Sequence, residues 1–460
     1  MVAKSVVAAS AVATSAIVAK IASRWVEPKS LIRWGSRHVV AGVVIRTGMR
    51  AGDPFARLCG DPALREYPYD FYDEIRASEL LPGRFALVTA RHELVLEILR
   101  TPGEFLSGFP DETLPRPLRA AVSWARDPAV LNGGDRPSML MSNGAEHARY
   151  RRLAMRAFTA RAVAGLAGRI EEMAAELLDG MQRRGGGDLI TDYAQLLPVL
   201  VIAEILGVPT EMRHTFLHWA RPIVPMVDFG IGYPRFRQGE ASLRELNAWF
   251  QGHFARLRRE PGTDLLSSIV VAAQEEADGA GVDDVGLMVN STLLLVAGFE
   301  TTVNLIGNGS VLLMTHPEQL ARLQADPVGW ANAVDEVLRF DSPVQNTIRY
   351  PSHDSAVRGI PIRRGQFIVL LTGGANRDPA VFDDPNTFDV TRGNAREHLS
   401  FSAGPHFCAG AALARLEGEI GLRLLFERFP GLSLAGELRR RPTRVIRGFA
   451  AIPVRLGAGC

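Results

Sequence analysis

Residues 289–314 read VNSTLLLVAGFETTVNLIGNGSVLLM, and no other stretch narrows the possible folds of this chain so much. The surrounding pattern predicts one long helix from Asp284 to Thr315. In the quoted run Glu300 is the one charged residue, so the helix has no face suited to water. Such a helix crosses the middle of a protein, with other elements packed around it. The neighbouring sequence supplies those elements. Glu146–Phe158, Arg161–Met181, Tyr193–Leu206, Gly239–Arg258 and Ala409–Phe429 all read as helices, most with an apolar stripe near the 3.6-residue period.

The β signals are few and short. Arg84–Thr89 and Ile362–Leu371 read as strands, and Val445–Leu456 as a terminal hairpin. Between Phe105 and Asn143 the pattern breaks, with Pro110, Pro115, Pro117, Pro128 and Pro137 and two adjacent glycines, Gly133 and Gly134. A long irregular insert of this kind in a compact domain is usually a functional loop. The predicted class is mainly α with a minor β part, in a single large domain covering residues 51–460 and preceded by an N-terminal extension, residues 1–50. The 460 residues would allow a second domain, but no shift of composition marks a seam.

Charge and cysteine usage exclude several functions. Fifty-two basic residues against fifty acidic ones give a formal net charge of +2, which argues against a nucleic-acid binder. Three cysteines, Cys59, Cys408 and Cys460, cannot make a disulfide framework or a multi-thiolate zinc site. They fit a reducing cytoplasm. The apolar run Ser5–Ala19 is too short and too rich in alanine and serine for a spanning helix. It reads as a loosely held extension, with a signal peptide or membrane association as the lesser alternative.

Of the cysteines, Cys408 has the setting for chemistry. It stands in Phe401-Ser402-Ala403-Gly404-Pro405-His406-Phe407-Cys408-Ala409-Gly410, just before the last helix. A thiolate there is stabilised by the orphan N–H groups and dipole of the helix N-terminus. A small buried side chain in a turn is the plainer reading of a bare cysteine, but the spacing F-x-x-G-x-x-x-C-x-G is specific. It resembles the haem-binding signature of the cytochrome P-450 family, closest to soluble actinobacterial members.

The resemblance extends over residues 55–456. It implies the cytochrome P-450 fold around heme b (iron protoporphyrin IX), with Cys408 as the iron's axial ligand and Phe401, Gly404 and Gly410 shaping the cradle. Ala297-Gly298-Phe299-Glu300-Thr301-Thr302 resembles the family's acid-alcohol segment. Ala297 would then face the haem, and Glu300 and Thr301 would relay protons. Glu336 and Arg339 form E-x-x-R, which alone is a weak signal; the family closes this structural pair with a further basic residue, here Arg392. His147, Arg151, Arg349 and His406 match the positions that hold the propionates.

The implied activity is a monooxygenase that inserts one oxygen atom from dioxygen into a lipophilic small molecule. Its electrons would come from an iron-sulfur ferredoxin and an NAD(P)H-dependent ferredoxin reductase, docked near Arg149, Arg152 and Arg423. Phe105–Asn143, Leu217–Phe236 and Val344–Ile348 would line the substrate pocket. The resemblance further implies a cytoplasmic monomer. A non-turnover haem sensor or carrier, a peroxide-driven or coupling variant, and a cysteine hydrolase using His406 as base are the rival readings.

Overall fold

The computed structural model describes residues 28–109, 116–156, 158–262, 264–275 and 282–457. The segment Ser5–Ala19 lies outside them. The fold is mainly helical with small sheets.

The central helix runs unbroken from Asp284 to Thr315. Asp283 caps it, its carboxylate accepting the Gly286 N–H at 2.7 Å. Leu295, Phe299, Val303, Ile306 and Leu313 are buried along its length. Helices Leu196–Ile205, Tyr233–Leu257, Trp330–Phe340 and Ala411–Arg428 pack around it. Among the described residues this is the one helix long and apolar enough to cross a membrane, and its setting is that of a core helix. The helix after the cysteine comes in closely at Gly418. A Cβ there would lie 2.9 Å from Leu305 and 3.2 Å from Val334.

The largest sheet has five strands, in the order Leu81–Pro82, Ala86–Thr89, Phe367–Leu370, Thr347–Pro351, Phe105–Leu106. Ala86–Thr89 runs parallel to Phe367–Leu370, and the other pairs are antiparallel. Arg349 pairs with Ile368 in register, so a rigid central strand carries that guanidinium.

Two predicted regions differ from the sequence reading. The stretch Phe105–Asn143 is more ordered than its prolines suggest. It contains the strand Phe105–Leu106, a helix Arg116–Ala125 and a 3₁₀ turn Pro128–Val130, because prolines near element starts are compatible with helices. It is also tied to the central helix, where Asn290 accepts the Met139 N–H at 2.7 Å and donates to the Pro137 carbonyl at 3.3 Å. The terminal segment is not a hairpin. Phe449–Ala451 pairs with Arg439–Arg440, whereas Pro453–Arg455 lies between Gly187–Asp188 and Ser433–Leu434. Between these two strands stands a single residue, the buried Ile452, so the chain has no turn and serves two sheets in passing.

The N-terminal extension is helical where described. Gly35–Val39 forms a π turn that continues into Val40–Arg50. The segment before and within it packs on the start of the Tyr233–Leu257 helix. Ser30 and Arg33 both donate to Glu240, at 2.5 and 2.6 Å, and the Trp34 indole donates to the Ile231 carbonyl at 2.8 Å.

Candidate active site

The cysteine loop closes on itself. The Cys408 N–H donates to the Phe401 carbonyl at 2.8 Å and the Phe407 N–H to the Gly404 carbonyl at 3.0 Å. Gly404 has φ +64°, and a Cβ there would lie 2.3 Å from the Leu99 carbonyl oxygen, so no other residue fits. Gly410 is the N-cap position of the helix Ala411–Arg428. Cys408 is exposed, yet protein atoms crowd its side chain. That desolvation pushes the thiol up, opposed by the Gly410 N–H, Arg151 and Arg415, which favour the thiolate.

The central helix keeps one accessible stripe. Leu293, Ala297 and Thr301, spaced four residues apart, keep accessible surface while the residues around them are mostly buried. Thr301 Oγ1 donates to the Ala297 carbonyl at 2.7 Å and Thr302 Oγ1 to the Gly298 carbonyl at 3.0 Å. Glu300 lies elsewhere. It is buried, with Oε1 2.7 Å from Arg441 Nη1, and burial raises its pKa against the pull of Arg441.

Four basic groups from three separate elements meet near the cysteine. His147 and Arg151 come from the helix Gly144–Met155, Arg349 from the sheet and His406 from the loop itself. The His147 and His406 rings are 4.2 Å apart between centroids. His147 Nε2 is buried with no hydrogen-bond partner. Arg349 is buried and donates to Thr347 Oγ1 and the Ile348 carbonyl, at 3.0 and 2.9 Å. Among the described residues no carboxylate pairs with any of the four. Burial brings Arg349 down to about 10. Burial, Arg349, His147 and Arg151 together push His406 down to about 3, too low for the base of a cysteine hydrolase. Burial, Arg151 and Arg349 also lower His147. A cluster of this kind, with an orphaned donor and no acid, suits a ligand that brings its own carboxylates. With an accessible thiol beside it and an open helix stripe, the residues present fit a haem with two propionates.

Below the loop lies a buried ionic knot. Arg339 Nε and Nη2 donate to the two Glu336 oxygens at 2.6 and 2.7 Å, with both side chains wholly buried. Its other N–H groups reach the carbonyls of Asn376, Pro385 and Thr387 at 2.9–3.0 Å. Arg392 Nε approaches Glu336 at 3.4 Å and also holds the carbonyls of Asp383, Asp384 and Thr387.

Three residues outside the sequence motifs link this knot to the loop. Asp335 is buried and accepts from Arg415 Nε at 2.7 Å and from His398 Nε2 at 3.1 Å. The Arg415 guanidinium lies over the Phe401 ring, 4.6 Å from its centroid. His398 Nδ1 accepts the Ser400 N–H, which fixes the neutral tautomer that donates to Asp335.

The chain is similar to known proteins over most of its length. The family profile described as Cytochrome P450 matches residues 331–440, which include the ionic knot and the cysteine loop. Cytochrome P450 140 of Mycobacterium tuberculosis is 42% identical over 431 residues, 93% of this chain and 98% of that relative. The 6-deoxyerythronolide B hydroxylase of Saccharopolyspora erythraea is 40% identical over 322 residues, 69% of this chain and 78% of the hydroxylase. Among solved structures, P450BioI in complex with an acyl carrier protein bearing hexadec-9Z-enoic acid is 34% identical with a TM-score of 0.77. That likeness covers 85% of this chain and 99% of P450BioI. Fold and site together define a haem-binding oxidoreductase of the monooxygenase type. The chain belongs to the cytochrome P450 family.

Proposed function

We propose that this protein holds heme b on the Cys408 thiolate and inserts one atom of dioxygen into a lipophilic small molecule, using electrons from a separate ferredoxin and ferredoxin reductase in the cytoplasm. The observation that carries this reading is the acid-free cluster of His147, Arg151, Arg349 and His406 beside an accessible Cys408. The bound haem would supply dioxygen activation by an iron whose thiolate ligand pushes electron density toward the oxygen.

The chain's own residues do the rest. The basic cluster anchors the propionates, while Phe401, Gly404 and Gly410 shape the ground beneath the sulfur. Ala297 gives a small surface on the distal side. Thr301, the member of the acid-alcohol pair that reaches the cleft, passes protons from its hydroxyl. Glu300 is the acid behind it, paired with Arg441. Phe105–Asn143, Leu217–Phe236 and Val344–Ile348 enclose the substrate, and the tie between Asn290 and Met139 supports that role for the first of them. The fatty-acyl ligand of P450BioI supports a lipophilic substrate. Arg149 and Arg152 offer charge for an acidic ferredoxin. Arg423, which pairs with Glu171 and Glu427 at 2.6 and 3.3 Å, adds to that charge.

The test is reduction of the haem-loaded protein by NADPH with a [2Fe–2S] ferredoxin and its reductase, followed by aerobic turnover of Thr301→Ala. Electron transfer needing both partners, and more hydrogen peroxide released per NADPH in the variant, is the expected result. Turnover with added peroxide alone would favour the peroxide-driven variant. Binding of dioxygen with no NADPH consumption would favour a sensor.

A further inference from the structure

Residues 28–50 form a continuous helical rod that is fastened to the protein along one face only. Ser30 and Arg33 hold Glu240, His38 packs on Phe236, Ile45 meets Gly230, and Gly48 lies against Ala56 and Phe85. These five residues of the rod are buried. The opposite face is bare. Leu31, Val39, Val43, Arg46 and Arg50 follow one another at intervals of eight, four, three and four residues, the spacing of a single helix face, and all five are exposed. Val40 and Met49 flank that line and are exposed as well.

Such a gathering of aliphatic groups in water is unusual. Twelve large hydrophobic side chains are exposed among the described residues, and five of them, Leu31, Val39, Val40, Val43 and Met49, stand on this rod. A sixth, Trp124, joins them near its N-terminal end, where Lys29 Nζ lies 5.3 Å from the indole centroid and Arg33 donates to the Ala125 carbonyl at 2.6 Å. Single exposed hydrophobes are ordinary on any surface, whereas a contiguous group marks an interaction site.

The charge around them has one sign. Residues 28–50 and 116–126 contain no acid. Arg46 and Arg50 have no ion-pair partner among the described residues, and neither do Arg116, Arg119 and Arg126, on and just after the helix that carries Trp124. Residues 1–50 hold eight lysines and arginines against one acid, Glu27, so they carry +7 while the remaining 410 residues carry −5. The overall +2 conceals this division. A partner for the bare face must be anionic and must also accept aliphatic side chains. Nucleic acid meets only the first requirement. An anionic bilayer surface meets both, because valines enter the boundary between headgroups and acyl chains, arginines reach the phosphates, and tryptophan favours that same boundary.

We propose that the free face of residues 31–50, with Lys29 and Trp124, docks peripherally on an anionic lipid surface. The buried contacts to Glu240 and Phe236 hold the rod in place, so the haem domain is carried to the membrane as one body. Docking of this kind needs nothing from the haem site.

The experiment is co-sedimentation of the haem-loaded full chain with vesicles of phosphatidylcholine alone and of an equimolar mixture with phosphatidylglycerol. The parent is compared with Arg46→Gln/Arg50→Gln and Val39→Thr/Val43→Thr. Binding to the mixed vesicles is expected to be on the order of tenfold tighter than to phosphatidylcholine, to weaken by a similar factor in the arginine pair and several-fold in the valine pair, and to fall with added salt. Equal binding to the two vesicle types, or binding that both double variants retain in full, overturns the proposal. Tryptophan emission should shift to the blue on mixed vesicles and lose that shift in Trp124→Phe; a shift that survives counts against the face. Thermal midpoints of the variants should match the parent, and a fall would show that the protein itself already covers these side chains. In sedimentation velocity without lipid, a dimer that dissociates in the valine pair would assign the face to a second copy of the chain, against the lipid reading.

Discussion

Arg415 donates its Nε–H to Asp335 at 2.7 Å across 80 residues of sequence, and the same guanidinium covers the ring of Phe401. One ion pair thus fixes the floor of the cysteine loop to the helix that carries Glu336. Loosening it should leave the fold intact and disturb the sulfur. Arg415→Gln and Asp335→Asn are expected to release haem several-fold faster to apomyoglobin and to shift the reduction potential. Unchanged haem loss and potential in both variants would reduce the pair to a structural contact.

Arg339 is engaged through all three of its nitrogens, in five hydrogen bonds, and lysine cannot reproduce that fork. Arg339→Lys leaves Glu336 and three carbonyls short of donors in a dry site. Lysine keeps the charge, but each buried acceptor left without a donor costs about 1–3 kcal/mol. The expected outcome is a large fall in thermal midpoint and in soluble haem-loaded yield. A variant that melts within a degree or two of the parent would contradict this reading of the knot.

The sequence showed what is local. Cys408, Gly404 and Gly410 lie within one loop, and Glu336 and Arg339 are one turn apart, so each motif is legible without a fold. The central helix was legible with its ends because its apolar run admits no other placement. Asp335, His398 and Arg415 were not. Each is an ordinary residue on a helix or loop, and their meeting depends on how two helices and a loop pack. The partner of Glu300 escaped for the same reason, since Arg441 arrives from the other end of the chain. The single-residue link at Ile452 was misread as a turn because short β runs look alike whichever strand they join.

His38, in the N-terminal extension, is buried against Phe236 with Nδ1 unpartnered. Burial and the adjacent Arg37 push it down to about 4. In the folded protein the ring stays neutral to that pH, whereas in the unfolded chain it takes a proton below about 6.5. Between those values the unfolded state binds more protons, so this residue makes stability fall as pH falls through that window. Thermal melts at pH 7.5 and pH 5 should therefore show a smaller loss for His38→Phe than for the parent. Equal losses would mean that the extension does not bury this ring in solution.

We propose Cys408, and no other group, as the axial ligand of a bound haem. The ferrous carbon monoxide spectrum of the purified protein tests it most directly. The expected result is a thiolate-type band in the parent chain that disappears in Cys408→Ala and persists in Cys59→Ala. A colourless protein, a histidine-type band in the parent, or a thiolate-type band that survives Cys408→Ala would contradict it.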